Sequence, residues 1–122
     1  TAQEAQMAID VGAAGVVVSN HGGRVLDHTP GTAKALPVIA KTVKGRILVF
    51  ADGGVRYGAD VLKLLALGAD AVLVGRPVLR GAVGGGAEGV KLVLEKMRSE
   101  LVDAMVLTGT PSVKKVSRSI LA

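Results

Sequence analysis

The sequence has 122 residues, which suits one compact domain, and it is 49% apolar but only 2% aromatic, with 17 glycines. The core must therefore consist of small aliphatic side chains packed on glycine-rich turns. The lack of cysteine excludes disulfides, zinc–thiolate sites and thiol nucleophiles, and we predict no metal site.

The net charge of +5 favours a phosphate or carboxylate ligand over a nucleic acid. The basic residues are scattered, and one Phe and one Tyr cannot form a base-stacking platform. No stretch approaches the roughly 18 apolar residues that a membrane span needs, and the first residues indicate an amphipathic helix rather than a signal peptide. We therefore expect no membrane span and a cytoplasmic location.

The first predicted elements are a helix and a buried strand. Thr1 as N-cap and Glu4 three residues later form a capping box, and the helix that they begin ends at Gly12. Residues 15–19 are a β-branched run without polar alternation, which is typical of a strand buried on both faces. A polar loop follows at residues 20–30. Because the chain opens inside a helical pattern without an initiator Met, we expect it to be a piece of a longer polypeptide.

Two further strands are predicted downstream. Residues 32–44 have helical spacing, although Pro37 must lie near the first turn or break the helix. A strand at 47–51 precedes a helix at 59–67, and a third strand is predicted at 71–74. The remaining predicted elements are a short helical stretch after residue 77, a flexible linker at 84–86, a long helix at about 87–107 and a last helix after Pro111.

The spacing of the strands indicates repeated βα units. Strand starts at residues 15, 47 and 71 are separated by 32 and 24 residues, close to the roughly 30 residues of a βαβ unit. Residues 10–18 and 66–74 are also alike, each leading from a helix end into a buried strand. This internal sequence similarity favours parallel strands in a barrel of equivalent units over an open sheet with a reversed strand order.

Each predicted strand is followed by a polar, glycine-rich turn. In a β/α barrel such turns form the active site at the carboxyl ends of the strands. The three turns are Ser19-Asn20-His21-Gly22-Gly23-Arg24, then Asp52-Gly53-Gly54-Val55-Arg56, and then Gly75-Arg76-Pro77.

The second and third turns predict a phosphate site. Gly53 and Gly54 let backbone N–H groups approach an anion, a helix amino terminus follows, and Arg56 and Arg76 can each donate two hydrogen bonds to phosphate oxygens. Phosphate sites of β/α barrels lie after strands 7 and 8, which would make the three strands numbers 6, 7 and 8. The alternative is a tight turn beside two solvated arginines.

The first turn carries His21 and Arg24, one turn apart. They could combine a proton acceptor near neutral pH with a bidentate carboxylate clamp, and so hold an acid while removing a proton from it. The alternative is a histidine that caps a helix and an arginine that pairs with Asp27. His28 has no such setting and is interpreted as a loop residue.

Across essentially the whole chain, these motifs resemble the FMN-dependent 2-hydroxy-acid oxidases and dehydrogenases, a family that includes glycolate oxidase, lactate oxidase and flavocytochrome b2. The motif SNHGGR is highly specific, whereas DGGVR and GRP also occur in related FMN barrels such as IMP dehydrogenase and type 2 isopentenyl-diphosphate isomerase. The resemblance implies an α/β fold in which residues 1–122 form the carboxyl-terminal part of a (β/α)8 barrel, about three βα units comprising strands 6–8.

The resemblance also implies roles for individual residues. His21 would be the general base that takes a proton from a small L-2-hydroxy acid of the lactate or glycolate type, and Arg24 would bind its carboxylate. Two electrons would pass to FMN and leave a 2-oxo acid, either as a hydride or after removal of the α-proton. The residues that would contact FMN are Ser19, Asp52, Gly53, Gly54, Val55, Arg56, Gly75 and Arg76. Asp52 could also orient His21.

Family parts from the first half of the barrel are missing, including a flavin-contacting lysine that would lie just before Thr1. We therefore expect the isolated chain to be inactive. Its open sheet edges predict a covering partner, either the missing amino-terminal half or another chain, and a homo-oligomer is expected. Two alternatives stay open: a non-redox FMN or phosphate-binding barrel fragment, and an inactive half-barrel that associates with itself.

Overall fold

The computed structural model describes residues 1–121 and confirms the predicted α/β class. Three parallel strands alternate with helices, and short 3₁₀ turns occur at His21–Gly23, Val113–Lys115 and Arg118–Ile120. The main elements are α1 (Ala2–Asp10), β1 (Gly15–Val18), α2 (Thr32–Val43), β2 (Leu48–Ala51), α3 (Gly58–Ala66), β3 (Ala71–Val72) and α4 (Arg76–Leu107).

The sheet has the strand order β1-β2-β3, and both pairings are parallel. Val18 of β1 pairs with Ala51 of β2, which in turn pairs with Val72 of β3. Because these residues lie near the ends of their strands, the three following loops leave the sheet from one edge. This arrangement is the one that a repeated strand-loop-helix pattern produces.

The two faces of the sheet differ in burial. The face toward the helices is closed, with Val18, Val49 and Ala51 all buried in the hydrophobic core. On the opposite face Val17 is 55% exposed and Leu73 is 42% exposed. The chain therefore carries one completed apolar layer and one apolar face that no described residue covers.

The first helix follows the predicted capping chemistry. The Thr1 hydroxyl accepts a hydrogen bond from the Glu4 N–H at 3.3 Å, and the Glu4 carboxylate accepts one from the Thr1 hydroxyl at 2.7 Å. Gly12, with φ of +79°, follows the helix end. The left-handed backbone that glycine readily adopts allows the chain to turn into β1.

Helix α2 differs from its prediction at Pro37. The proline lies at the sixth residue of the helix, beyond the first turn, and the helix continues unbroken to Val43. A proline at this position removes one backbone hydrogen bond. Leu36 and Val43 are completely buried and Ile39 nearly so, and this packing against the sheet outweighs the lost bond.

The segment after β3 also corrects the predictions. The predicted break at residues 84–86 is present as a kink: Gly85 and Gly86 leave helical geometry and divide α4 into two helical segments, while Gly84 keeps helical geometry. The residues after Pro111 form two 3₁₀ turns rather than a helix. The strands are shorter than predicted, most clearly β3, which pairs only over Ala71–Val72.

Helices α3 and α4 approach each other closely at Gly58. A methyl group at this position would collide with the backbone of α4 at Met97 and Leu101. The Gly58 N–H also donates to the Glu100 carboxylate at 2.8 Å, so an acidic side chain of α4 satisfies the amino end of α3. Within residues 1–121, no helix has the length and apolar character to cross a membrane.

We expect Gly58→Ala to destabilise the fold by about 1–3 kcal/mol, because the added methyl group must push the two helix backbones apart. Urea unfolding of the full-length gene product that contains these residues measures the change. Gly84→Ala is the matched control, since space around Gly84 is open. Equal stability of the Gly58→Ala variant and the unmodified protein would contradict the observed packing.

Candidate functional site

A cavity of about 400 Å³ opens where the three strands end. It brings together parts of all three polar turns, so loops more than 50 residues apart along the chain meet at one site. The lining residues are His21, Gly22, Arg24, Asp52, Gly53, Gly54, Val55, Arg56, Leu73, Gly75, Arg76, Pro77, Leu79 and Arg80.

The first loop is folded by local hydrogen bonds from the residues that follow β1. The Ser19 hydroxyl accepts from the His21 N–H at 3.1 Å, and the Asn20 side chain accepts from the Gly22 N–H at 3.1 Å. His21 has φ of +53°, a left-handed conformation that is unfavourable for a residue with a Cβ atom. Such strain persists only where the surroundings hold it, and it is commonest at functional sites.

His21 and Arg24 contact each other through their side chains. The Arg24 Nη2 atom lies 2.6 Å from His21 Nε2. Because a guanidinium can only donate, Nε2 must be the accepting nitrogen, and a neutral His21 then carries its proton on Nδ1. Arg24 and Asp27 form no ion pair in residues 1–121; the Asp27 carboxylate instead accepts from the His28 N–H at 2.8 Å.

The second loop exposes backbone donors. Gly53 and Gly54 have φ of +92° and +76°, and a Cβ at Gly54 would meet no atom within 4 Å. The Asp60 carboxylate accepts from the N–H groups of Arg56 and Tyr57, each at 3.0 Å. This contact fixes the backbone of Arg56 at the amino end of α3.

Asp52 lies at the start of this loop with its Oδ1 atom buried and without a hydrogen-bond partner in residues 1–121. The suggestion that Asp52 orients His21 is not supported, because the described side-chain contact of the imidazole is with Arg24. A buried acceptor that lacks a donor is costly. Asp52 as a residue also belongs to the cavity wall.

The third loop leads directly into α4. Gly75 precedes the helix, and a Cβ there would meet nothing within 4 Å. Arg76 extends toward the first loop, since its Nη2 atom would lie 3.8 Å from a Cβ at Gly22. The side chain of Arg76 therefore lies near the first loop.

The cavity is strongly cationic. Its lining holds four arginines but a single carboxylate, that of Asp52. None of these arginines takes part in the ion pairs found in the described part of the chain. Unpaired guanidinium groups around one cavity repel one another, and an anionic ligand would relieve this repulsion.

The predicted site residues fall into two groups. All but Ser19 line the cavity; Ser19 instead borders a second pocket together with Asn20 and Thr32. Three lining residues lie outside the predicted turns, Leu73, Leu79 and Arg80. Arg80 had a signal in the sequence as the residue four positions after Arg76.

In residues 1–121, no group of three or more His, Asp or Glu side chains is arranged to hold a metal ion.

Comparison with known proteins identifies the family. The family model described as FMN-dependent dehydrogenase matches residues 1–122. Glycolate oxidase from Spinacia oleracea is 52% identical over 122 residues, and 2-hydroxyacid oxidase from Dictyostelium discoideum is 49% identical over 119 residues. The match covers 100% and 98% of this chain respectively, but only 33% and 31% of those proteins.

A solved structure shows the same likeness in three dimensions. A mandelate oxidase mutant with a monooxide FMN adduct superposes with a TM-score of 0.93 at 47% identity, covering 97% of this chain and 38% of that one. The chain belongs to the FMN-dependent dehydrogenase family. It spans about a third of the length of the curated relatives that it matches.

We expect nitrogen-15 NMR to show Nε2 of His21 as the unprotonated nitrogen and Nδ1 as the protonated one. The hydrogen bond from Arg24 requires this tautomer. His28, the other histidine of the chain, is exposed and serves as the internal reference. In an Arg24→Leu variant the preference of His21 should disappear, and an unchanged tautomer there would contradict the role of Arg24.

Proposed function

We propose that the protein containing these residues oxidises a small L-2-hydroxy acid of the lactate or glycolate type to the 2-oxo acid with bound FMN. The observation that carries this proposal is the contact between His21 and Arg24 at the rim of a cationic cavity. A base and a carboxylate clamp then lie beside a site suited to a phosphate. Relatives named glycolate oxidase and 2-hydroxyacid oxidase support it.

The residues of the cavity fit the chemical groups of FMN. Arg56, Arg76 and the free backbone donors of Gly53, Gly54 and Gly75 suit the phosphate dianion. The carboxylate of Asp52, the single carboxylate of the cavity lining, suits a hydroxyl of the ribityl chain, because carboxylate oxygens accept hydrogen bonds. When bound, FMN supplies the acceptor for the two electrons that leave the substrate.

The first loop would perform the acid–base part of the reaction. Arg24 would bind the substrate carboxylate with two parallel hydrogen bonds, which fixes the orientation of the hydroxyl-bearing carbon. His21 would take the hydroxyl proton on Nε2, the nitrogen that the tautomer leaves unprotonated. A carboxylate on Arg24 would also withdraw the guanidinium from Nε2 and so release the lone pair of the base.

The place of the chain in the whole protein is part of the same proposal. Residues 1–122 would contribute strands 6–8 of a (β/α)8 barrel, as about three βα units. The remaining strands, or another chain, would cover the exposed face at Val17 and Leu73 and supply further flavin contacts. A homo-oligomer and a cytoplasmic location stay predictions.

The test is a flavin reduction experiment on the full-length gene product. The purified protein should be yellow, and its flavin absorbance should bleach when lactate or glycolate is added without air. Flavin that binds but does not bleach with any small 2-hydroxy acid would favour a non-redox FMN barrel. A protein that binds no flavin would refute the proposal.

His21→Ala should retain the flavin while the turnover number falls by about 10²–10⁴-fold, because the base is lost. Steady-state kinetics and the flavin absorbance spectrum measure the two effects separately. His28→Ala is the matched control, since this histidine lies in the exposed part of the loop outside the cavity lining, and its turnover should be unchanged. Substantial turnover in His21→Ala would remove His21 from the role of base.

Arg24→Lys should raise the Michaelis constant for the acid by about tenfold to a hundredfold, because lysine lacks the planar fork that binds a carboxylate bidentately. The dissociation constant for FMN should change far less. Both constants are measured on the same preparation, by kinetics and by flavin fluorescence. An equal loss of both affinities would count against the assignment of Arg24 to the substrate.

A further inference from the structure

Arg80 lines the cavity although it lies outside all three polar turns. It belongs to α4, one helical turn after Arg76. Residues four apart lie on the same side of a helix, so the side of α4 that directs Arg76 toward the cavity directs Arg80 there as well. Arg56 approaches the same cavity from the loop after β2.

The backbone around Arg80 is held in place. Gly81, the next residue, packs against Gly89 beyond the kink, and a Cβ at Gly81 would lie only 2.7 Å from the Gly89 carbonyl oxygen. The two segments of α4 therefore touch through their backbones. This contact fixes the rotation of the first segment and with it the direction in which Arg76 and Arg80 point.

Arg80 has no acidic partner within residues 1–121, and neither do Arg56 and Arg76. The single carboxylate in the cavity wall, Asp52, follows β2. Within residues 1–121, three arginines without an acidic partner therefore line the same cavity, and solubility alone does not require this arrangement. Three guanidinium groups in the lining of one cavity match a doubly charged anion better than a singly charged one.

We propose that Arg80 is a third phosphate-binding arginine, which makes the site selective for a phosphorylated flavin over the unphosphorylated one. This inference deepens the proposed function and rests on it. Arg80 adds a charge at the phosphate end and leaves the isoalloxazine end unaffected. Its removal should therefore weaken the binding of FMN without weakening that of riboflavin.

The test compares Arg80→Gln with Arg98→Gln in the full-length gene product. Arg98 is an exposed arginine of the same helix that does not line the cavity. Dissociation constants for FMN and for riboflavin are measured on the apoprotein by flavin fluorescence at low and at physiological ionic strength. Circular dichroism verifies that each variant is folded.

Arg80→Gln should weaken FMN binding by about threefold to tenfold, between the effect of an exposed ion pair and that of a charge-assisted hydrogen bond. Riboflavin binding should be unchanged, and Arg98→Gln should match the unmodified protein for both ligands. The loss should be largest at low salt. Arg80→Lys should recover part of the affinity, since it keeps the charge without the fork.

Unchanged FMN binding in Arg80→Gln, or an equal loss for FMN and riboflavin, would overturn the inference while the proposed function stands. Inorganic phosphate separates the two ideas further. If it raises the melting temperature of the unmodified apoprotein but not that of Arg80→Gln, the anion-binding role of Arg80 holds even where no flavin binds. No effect of phosphate and no flavin binding would refute both.

Discussion

Parallel pairing of β1, β2 and β3 is the constraint on which the site depends. Parallel strands in register end at the same edge, so the loops that follow them must meet there. His21, Asp52 and Arg76 come from three such loops, and they line one cavity only because all three strands run in the same direction. An antiparallel β2 would carry the loop that contains Asp52 to the opposite end of the sheet.

Glycine residues determine how closely the helices approach one another. Gly58 lets α3 rest on the backbone of α4, and Gly81 and Gly89 bring the two segments of α4 together. These contacts have no side chain between them, so they leave little freedom for the helices to slide. The positions of Arg56 and Arg76, at the amino ends of α3 and α4, are set by this packing.

The sequence predicted what depends on local chemistry. The capping box of Thr1, the order of strands and helices and the turns after the strands all follow from neighbouring residues, and the structure agrees with them. The prediction at Pro37 was wrong for a different reason. The local preference of proline opposes a helix interior, but α2 packs on the sheet through Leu36, and such tertiary contacts cannot be seen in a short window of sequence.

In the site, too, some features follow from the local sequence and others depend on tertiary contacts. The turns themselves identify His21, Arg24 and the glycines, because each lies directly after a strand. The bond from Arg24 to His21 Nε2, the unpaired Oδ1 of Asp52 and the approach of Arg80 depend on how the loops face one another. Arg80 in particular cannot be distinguished from Arg98, another arginine of α4, until the direction of the helix is known.

The uncovered face of the sheet has a thermodynamic consequence. Val17 belongs to β1 and Leu73 directly follows β3, and both strands lead into loops of the cavity, so whatever buries these two side chains favours the same folded state that a ligand favours. Linkage then requires that each raise the apparent affinity of the other. A substitution at Val17, which does not line the cavity, would therefore weaken ligand binding through the stability of the fold.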